Sequence, residues 1–300
     1  VTNILLVFFF LGLGLALSRS RILPAQTPSY LNWYLIYLVL PAVALRYLPA
    51  IEWSPELALP ALSAWLSFLV SWMLFGYLGK RFSWKKSTTG CLILTAGLSN
   101  TSFLGFPIIE ALYGSEGLKI AFLVDQPGSF LIVSSLAVVV AALYGDKKLR
   151  KRDISRKILL FPPFLFFFLA LVMGIFNLEA RGNFADMLDL LAWTLSPVAL
   201  ISVGMQVKLA VNDLKEKKLW LGLAYSLLLA PFIIWLAVGS LLNFEGIVYK
   251  VTVMEAAMPP MITGSIVAIS YNLNPRLASL MVSFGLLVGM VTLAFWYVLV

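Results

Sequence analysis

Ten apolar runs of membrane-crossing length constrain this chain more than anything else in it. They fall at about residues 2–18, 31–49, 57–78, 88–113, 120–143, 158–177, 184–207, 219–242, 247–271 and 276–299. A helix crosses the hydrocarbon core of a bilayer with roughly 20 mostly apolar residues, and inside lipid a helix satisfies its own backbone. The 300 residues are 61% hydrophobic and only 12% charged, more apolar surface than a soluble domain of this length can bury. The fold class is therefore an all-α polytopic membrane protein with ten transmembrane helices. The first run has Arg19 and Arg21 after it and nothing basic before it, the reverse of a cleaved signal peptide, so it reads as the first membrane helix.

Of the 22 Lys and Arg residues, 18 lie in the loops after runs 1, 3, 5, 7 and 9, and only Arg46, Lys119, Arg181 and Lys250 lie on the other side. The positive-inside rule places the first set in the cytoplasm and both termini outside, in a cell (inner) membrane. The net charge of +8 is thus topological and gives no nucleic-acid surface. The basic stretch 145–157 lies at the midpoint and reads as a cytoplasmic linker between a first half, 1–144, and a second half, 158–300. With five runs each, the second half must enter from the opposite side, so any repeat is inverted. Leu40-Pro41 in run 2 echoes Ser196-Pro197 in run 7. Trp33, Tyr34, Trp53, Trp84 and Trp220 lie near run ends and read as an interfacial belt. Gly12 and Gly14 read as points of close helix packing, and Cys91 as a small packing residue.

Runs 4 and 9, at matching places in the two halves, are each interrupted. The fourth breaks at Gly97-Leu98-Ser99-Asn100-Thr101-Ser102, with Gly105 and Pro107 following; the ninth carries Glu255 before Met258-Pro259-Pro260 and then Thr263-Gly264-Ser265. Paired interruptions of this kind point to a transporter's binding site. Proline cannot donate and displaces the carbonyl four residues back, so Pro259 and Pro260 free the carbonyls of Glu255 and Ala256. Those oxygens and the Glu255 carboxylate suit Na⁺ or a proton relay. Glu255 lies roughly 13 Å and Asp125 roughly 9 Å from the outer face, and Asn100 roughly 19 Å from the inner face, so the three can share a layer. Intramembrane carboxylates are costly and mark function. The candidate ion-coupling set is Glu255, Ala256, Asp125, Ser129 and Asn100, with Na⁺ at Glu255 and Asp125. The candidate substrate contacts are Asn100, Thr101, Ser102 and Pro107 in the first break, with Pro259, Pro260 and Thr263 in the second. The half-helices after the breaks begin with unpaired N–H groups that attract an anion. Glu110, nearer the outer end, reads as structural, and Arg46 as a snorkelling residue or a substrate contact.

The segment Leu98-Ser-Asn-Thr-Ser-Phe-Leu-Gly-Phe-Pro-Ile-Ile-Glu-Ala-Leu-Tyr-Gly114 resembles the first crossover motif of the auxin efflux carrier family. Glu255-Ala-Ala-Met-Pro-Pro260 with Ala268-Ile-Ser-Tyr-Asn-Leu-Asn274 resembles its second, and Pro41 and Ser202-Val-Gly-Met205 are also similar to family positions. The resemblance, closest to a bacterial member, implies two inverted five-helix repeats with discontinuous helices 4 and 9 crossing, as in bile-acid sodium symporters. It implies a scaffold of helices 1, 2, 6 and 7, a moving bundle of helices 3–5 and 8–10, and elevator-type access. It also implies Asn100 against the substrate carboxylate, Pro107 and Pro259 at the crossover, small carboxylates as substrates and a homodimer through the scaffold. Glu255 departs from the glutamine common in plant members and resembles the sodium symporters.

The function expected is secondary active transport of a small organic anion, coupled to Na⁺ or H⁺. An ion-independent facilitator or exporter, or a membrane sensor using the same pocket, is the alternative. No cofactor is expected beyond the coupling ion, and no partner beyond the anion, the bilayer and a second copy. With no histidine and one cysteine, zinc sites and histidine-based catalysis are excluded, so the chain reads as no enzyme.

Overall fold

The computed structural model describes residues 2–20, 22–51, 57–145, 162–207, 215–241 and 245–300. Apart from one isolated bridge between extended residues, the regular structure among them is helical. The helices are α1 (Thr2–Ser20), α2 (Thr27–Ala50), α3 (Ala58–Arg81), α4 (Lys86–Gly97), α5 (Thr101–Tyr144), α6 (Pro162–Ile175), α7 (Gly182–Met205), α8 (Lys217–Gly239), α9 (Gly246–Ala256), α10 (Ile262–Ser270) and α11 (Pro275–Leu299). Six of these, α2, α3, α5, α7, α8 and α11, are long and apolar enough to cross a membrane unaided. The α5 helix has 44 residues and holds both the second half of run 4 and run 5. Gly114, at φ 66° and ψ −160°, breaks its course between them. Run 9 is divided between α9 and α10, of 11 and 9 residues, neither of which spans alone. The basic linker beyond Gly145 and Trp53 lie outside the described residues.

The chain forms two compact units. The first comprises residues 1–55, 102–122 and 156–207, and its α1 and α7 pack backbone to backbone. A Cβ on Gly14 would collide with the Ile201 carbonyl, and one on Gly204 with the Leu11 carbonyl. Gly12, by contrast, faces open space, so only Gly14 of that pair is a packing glycine. In α2 the turn Leu35–Val39 widens to a π-helix just before Pro41, whose missing N–H and bulky ring disfavour a regular α-turn there. The Tyr34 hydroxyl lies 2.9 Å from that of Thr194. Trp33 is 56% exposed and stacks on Tyr37. The Arg46 guanidinium donates to Asp189 at 2.7 Å. Ser196 donates to Glu110 at 2.5 Å, giving that carboxylate the structural partner expected of it.

The second unit comprises residues 56–101, 123–155 and 208–300. The turn after α3 closes on Ser83 at φ 49°, where the Trp84 N–H reaches back to the Gly79 carbonyl at 2.9 Å. Cys91 is fully buried in α4. Pro231 in α8 removes the N–H that would bond the Leu227 carbonyl, and the Trp296 indole donates to that oxygen instead at 2.9 Å. Trp65 of α3 donates likewise to the Pro127 carbonyl at 2.9 Å, tying α3 to the π-turn Asp125–Phe130.

Candidate functional site

Both helix breaks of the sequence meet in the second unit, and the way they meet is local backbone chemistry. After α4 the chain is extended at Leu98, with φ −117° and ψ 116°, and before α10 it is extended at Met261, with φ −68° and ψ 129°. The two extended pieces run antiparallel and pair at Ser99 and Pro260. The Asn100 N–H donates to the Pro259 carbonyl and the Met261 N–H to the Leu98 carbonyl, both at 2.8 Å. Each break thus supplies partners for the other, as unwound backbone at membrane depth requires. The carbonyls that the prolines release are also occupied. The Glu255 carbonyl accepts from the Met258 N–H at 3.2 Å, and the Ala256 carbonyl from the Ser99 hydroxyl at 3.2 Å. Each keeps one lone pair at most, so the site's acceptor power rests chiefly on side chains.

Those side chains surround a cavity lined by Ser63 and Ser67 of α3, Ser99 and Thr101 of the first break, Ser129, and Glu255 and Ala256 of α9. It leaves about 10 Å³ for the centre of a water-sized sphere, room for one water or one small ion. Its only ionisable wall residue is Glu255, which is wholly buried and has both carboxylate oxygens without a hydrogen-bond partner. Asp125 is buried beside it and is held differently. The Thr101 hydroxyl donates to one of its oxygens at 2.5 Å, and the Gln126 amide to the other at 2.7 Å. The hydroxyl protons of Ser63, Ser99 and Thr101 are all spent on other acceptors, namely the Pro60 carbonyl, the Ala256 carbonyl and Asp125. Their lone pairs face a cavity that lacks any cationic wall residue. Such a lining suits a guest that is positive or donates hydrogen bonds.

The structure brings Glu255, Ala256, Ser129 and Thr101 to one cavity, with Asp125 hydrogen-bonded to its wall. Asn100 is not part of that lining. It lies between Ser99 and Thr101, is 3% exposed, and its side-chain oxygen has no partner. Pro259 and Pro260 lie at the crossing, and Thr263 is half-buried in the first turn of α10, where N–H groups are unpaired by helix geometry. Ser102 and Pro107 belong to the 102–122 segment of the first unit, Ser102 in the π-turn Thr101–Gly105 and Pro107 just after it. Arg46 also lies in the first unit, where it is paired with Asp189, and it does not line this cavity. Among the described residues no group of three or more His, Cys, Asp or Glu could hold a metal ion.

Two features escaped the sequence reading. Ser63, Ser67 and Ser71 are spaced four apart in an apolar helix and all three are buried, a polar stripe that helical periodicity makes legible. Gly285 and Gly289 of α11 form a seat for the crossover: a Cβ on Gly285 would strike the Pro260 ring, and one on Gly289 the Pro259 ring. Overpacking of this kind costs about 1–3 kcal/mol. Gly289→Ala should therefore lower the thermal midpoint in detergent, whereas Gly12→Ala, which faces open space, should leave it nearly unchanged. Equal midpoints for the two variants would remove the seat.

Comparison with known proteins places these observations. A family model described as membrane transport protein matches residues 1–297. An uncharacterized transporter of Methanothermobacter thermautotrophicus is 26% identical over 300 residues, covering 99% of this chain and 97% of that protein. An uncharacterized transporter of Methanocaldococcus jannaschii is 25% identical over 301 residues, covering 98% and 96%. Both relatives are archaeal, so the similarity does not single out bacterial members.

Proposed function

The chain belongs to the membrane transport protein family, that of the auxin efflux carriers, and from this premise we propose that it is a secondary active transporter of a small organic anion, driven by a co-transported Na⁺ or H⁺. The observation that carries the coupling is the Glu255 cavity. A buried carboxylate with no partner, in a pocket of hydroxyl lone pairs, demands either a proton or a cation. The anion would sit on the other side of the crossover, where the Asn100 amide N–H groups can donate to it, near the opening turn of α10, with Thr101, Pro259, Pro260 and Thr263 around its path. The ten-span inverted repeat, termini on the outer side, elevator-type movement and pairing through the scaffold helices complete this reading and follow from the resemblance and the charge distribution.

In this mechanism the protein binds its cation first, which relieves the uncompensated charge at Glu255. The carboxylate then meets a neutral crossover. The loaded carrier then reorients with the Glu255 charge compensated, an uncompensated charge at membrane depth costing about 3 kcal/mol on insertion scales. The test is uptake of labelled malonate, malate and similar carboxylates into proteoliposomes under an imposed sodium or pH gradient. Uptake that collapses when the gradient is removed supports the reading; uptake indifferent to both gradients makes the protein a facilitator, and binding without uptake makes it a sensor.

A further inference from the structure

Ser99, Asn100 and Thr101 carry the chain from the bridge at Ser99 into the π-turn that begins at Thr101. Ser99 and Thr101 line the cavity and Asn100 does not. The Thr101 N–H bonds back to the Ser99 carbonyl at 2.9 Å, a tight turn with Asn100 at its apex between the two wall residues. Both flanking side chains are fastened to the walls of the cation cavity. The Ser99 hydroxyl donates to the carbonyl of Ala256, the residue after Glu255, at 3.2 Å, and the Thr101 hydroxyl to Asp125 at 2.5 Å. The main chain between them is fastened to the crossover by the Asn100 N–H at 2.8 Å from the Pro259 carbonyl. Only the Asn100 side-chain oxygen is left without a partner.

We propose that Ser99 and Thr101 are positioning residues that transmit occupancy of the Glu255 cavity to Asn100, so that cation and carboxylate bind cooperatively. The proposal rests on the cation-coupled reading above and adds the route by which the coupling travels. A cation entering the cavity attracts the Glu255 and Asp125 carboxylates and the lone pairs of Ser99 and Thr101. Both flanks of Asn100 then move, or stiffen, together, and Asn100 follows because it lies between them in a turn closed by the Thr101 N–H on the Ser99 carbonyl, with its own N–H held by the Pro259 carbonyl. Coupling is reciprocal, so a carboxylate held by Asn100 raises cation affinity by the same factor.

The test is carried out on the full chain in detergent, with ¹⁵N-labelled asparagine and Na⁺ as the probe. The Asn100 side-chain amide resonance, assigned by its loss in Asn100→Gln, is followed while sodium chloride replaces choline chloride. Sodium binding is followed in parallel as a rise in thermal midpoint. Wild type should show both responses. Thr101→Val and Ser99→Ala remove cavity-wall oxygens and should weaken sodium binding. At sodium concentrations that saturate each variant's own midpoint rise, the shift of the Asn100 resonance should still be cut at least threefold, and Thr101→Ser, which keeps the hydroxyl, should restore it. A full Asn100 response in both Thr101→Val and Ser99→Ala overturns the link and leaves the cation site standing. No midpoint rise in wild type overturns the cation reading and the link with it. A Thr101→Val protein that does not fold leaves the decision to Ser99→Ala and Thr101→Ser.

Discussion

Glu255→Gln protein should lose every response to sodium and to a proton gradient, yet be at least as stable as wild type in sodium-free buffer. Glutamine keeps the shape of the side chain and removes its charge. In wild type that charge is fully buried with neither oxygen hydrogen-bonded, so it depends on a guest in the cavity. An unpaired buried charge is costly, so a neutral group of the same shape removes that cost. A cation that binds only the folded protein stabilises it by RT ln(1 + [L]/Kd), about 2.7 kcal/mol at a hundredfold excess over Kd. Wild type should therefore show a sodium- or acid-dependent rise in thermal midpoint, and the variant none. In proteoliposomes, gradient-driven uptake should fall at least tenfold while any downhill exchange continues. A variant that retains the wild-type dependence on sodium or on acid would show that Glu255 is not the coupling group.

This result separates two kinds of acid in one small space. Asp125 accepts hydrogen bonds on both oxygens, from the Thr101 hydroxyl and the Gln126 amide. Glu255 accepts none. The first orients Thr101; the second is left for whatever enters the cavity. A carrier needs that asymmetry, because a site satisfied equally well empty and full has nothing to gain by binding.

Legibility in the sequence follows the range of the forces involved. Hydropathy and the helix-breaking of proline and glycine act within a few residues, so the apolar runs and the two interruptions can be read directly. Placing Glu255 and Asp125 in one layer needed only the helical rise. The pairing of Ser99 with Pro260 could not be read, because two segments more than 150 residues apart satisfy each other and neither shows a strand pattern. For the same reason the proline-freed carbonyls looked available, whereas Met258 and Ser99 take them. Ser63 and Ser67 were legible but inconspicuous, since isolated serines in an apolar helix commonly bond back to their own helix, as Thr95 does to the Cys91 carbonyl at 2.8 Å. The packing seat at Gly285 and Gly289 required knowing which helix lies behind the crossover. The Arg46–Asp189 pair could not be read, because its partners lie 143 residues apart.

Asn100→Ala should lower carboxylate affinity by about tenfold to a hundredfold, the span of one lost hydrogen bond to a charged group at about 1.5–3 kcal/mol. It should do so in a protein that folds and still binds its cation. The main-chain bonds of the crossover come from the Asn100 N–H and the Met261 N–H, and the alanine variant keeps both. The side-chain oxygen it removes has no partner in the unliganded protein, so folding loses little with it. Asn100→Asp sharpens the contrast. It is nearly isosteric but adds a negative charge where a carboxylate must approach, so it should abolish anion binding, where alanine only weakens it. Measuring carboxylate-induced thermal stabilisation in wild type and both variants orders the three. Alanine and aspartate variants that bind carboxylates like wild type would move the anion away from Asn100, and with it the division of this crossover into an anion face and a cation face.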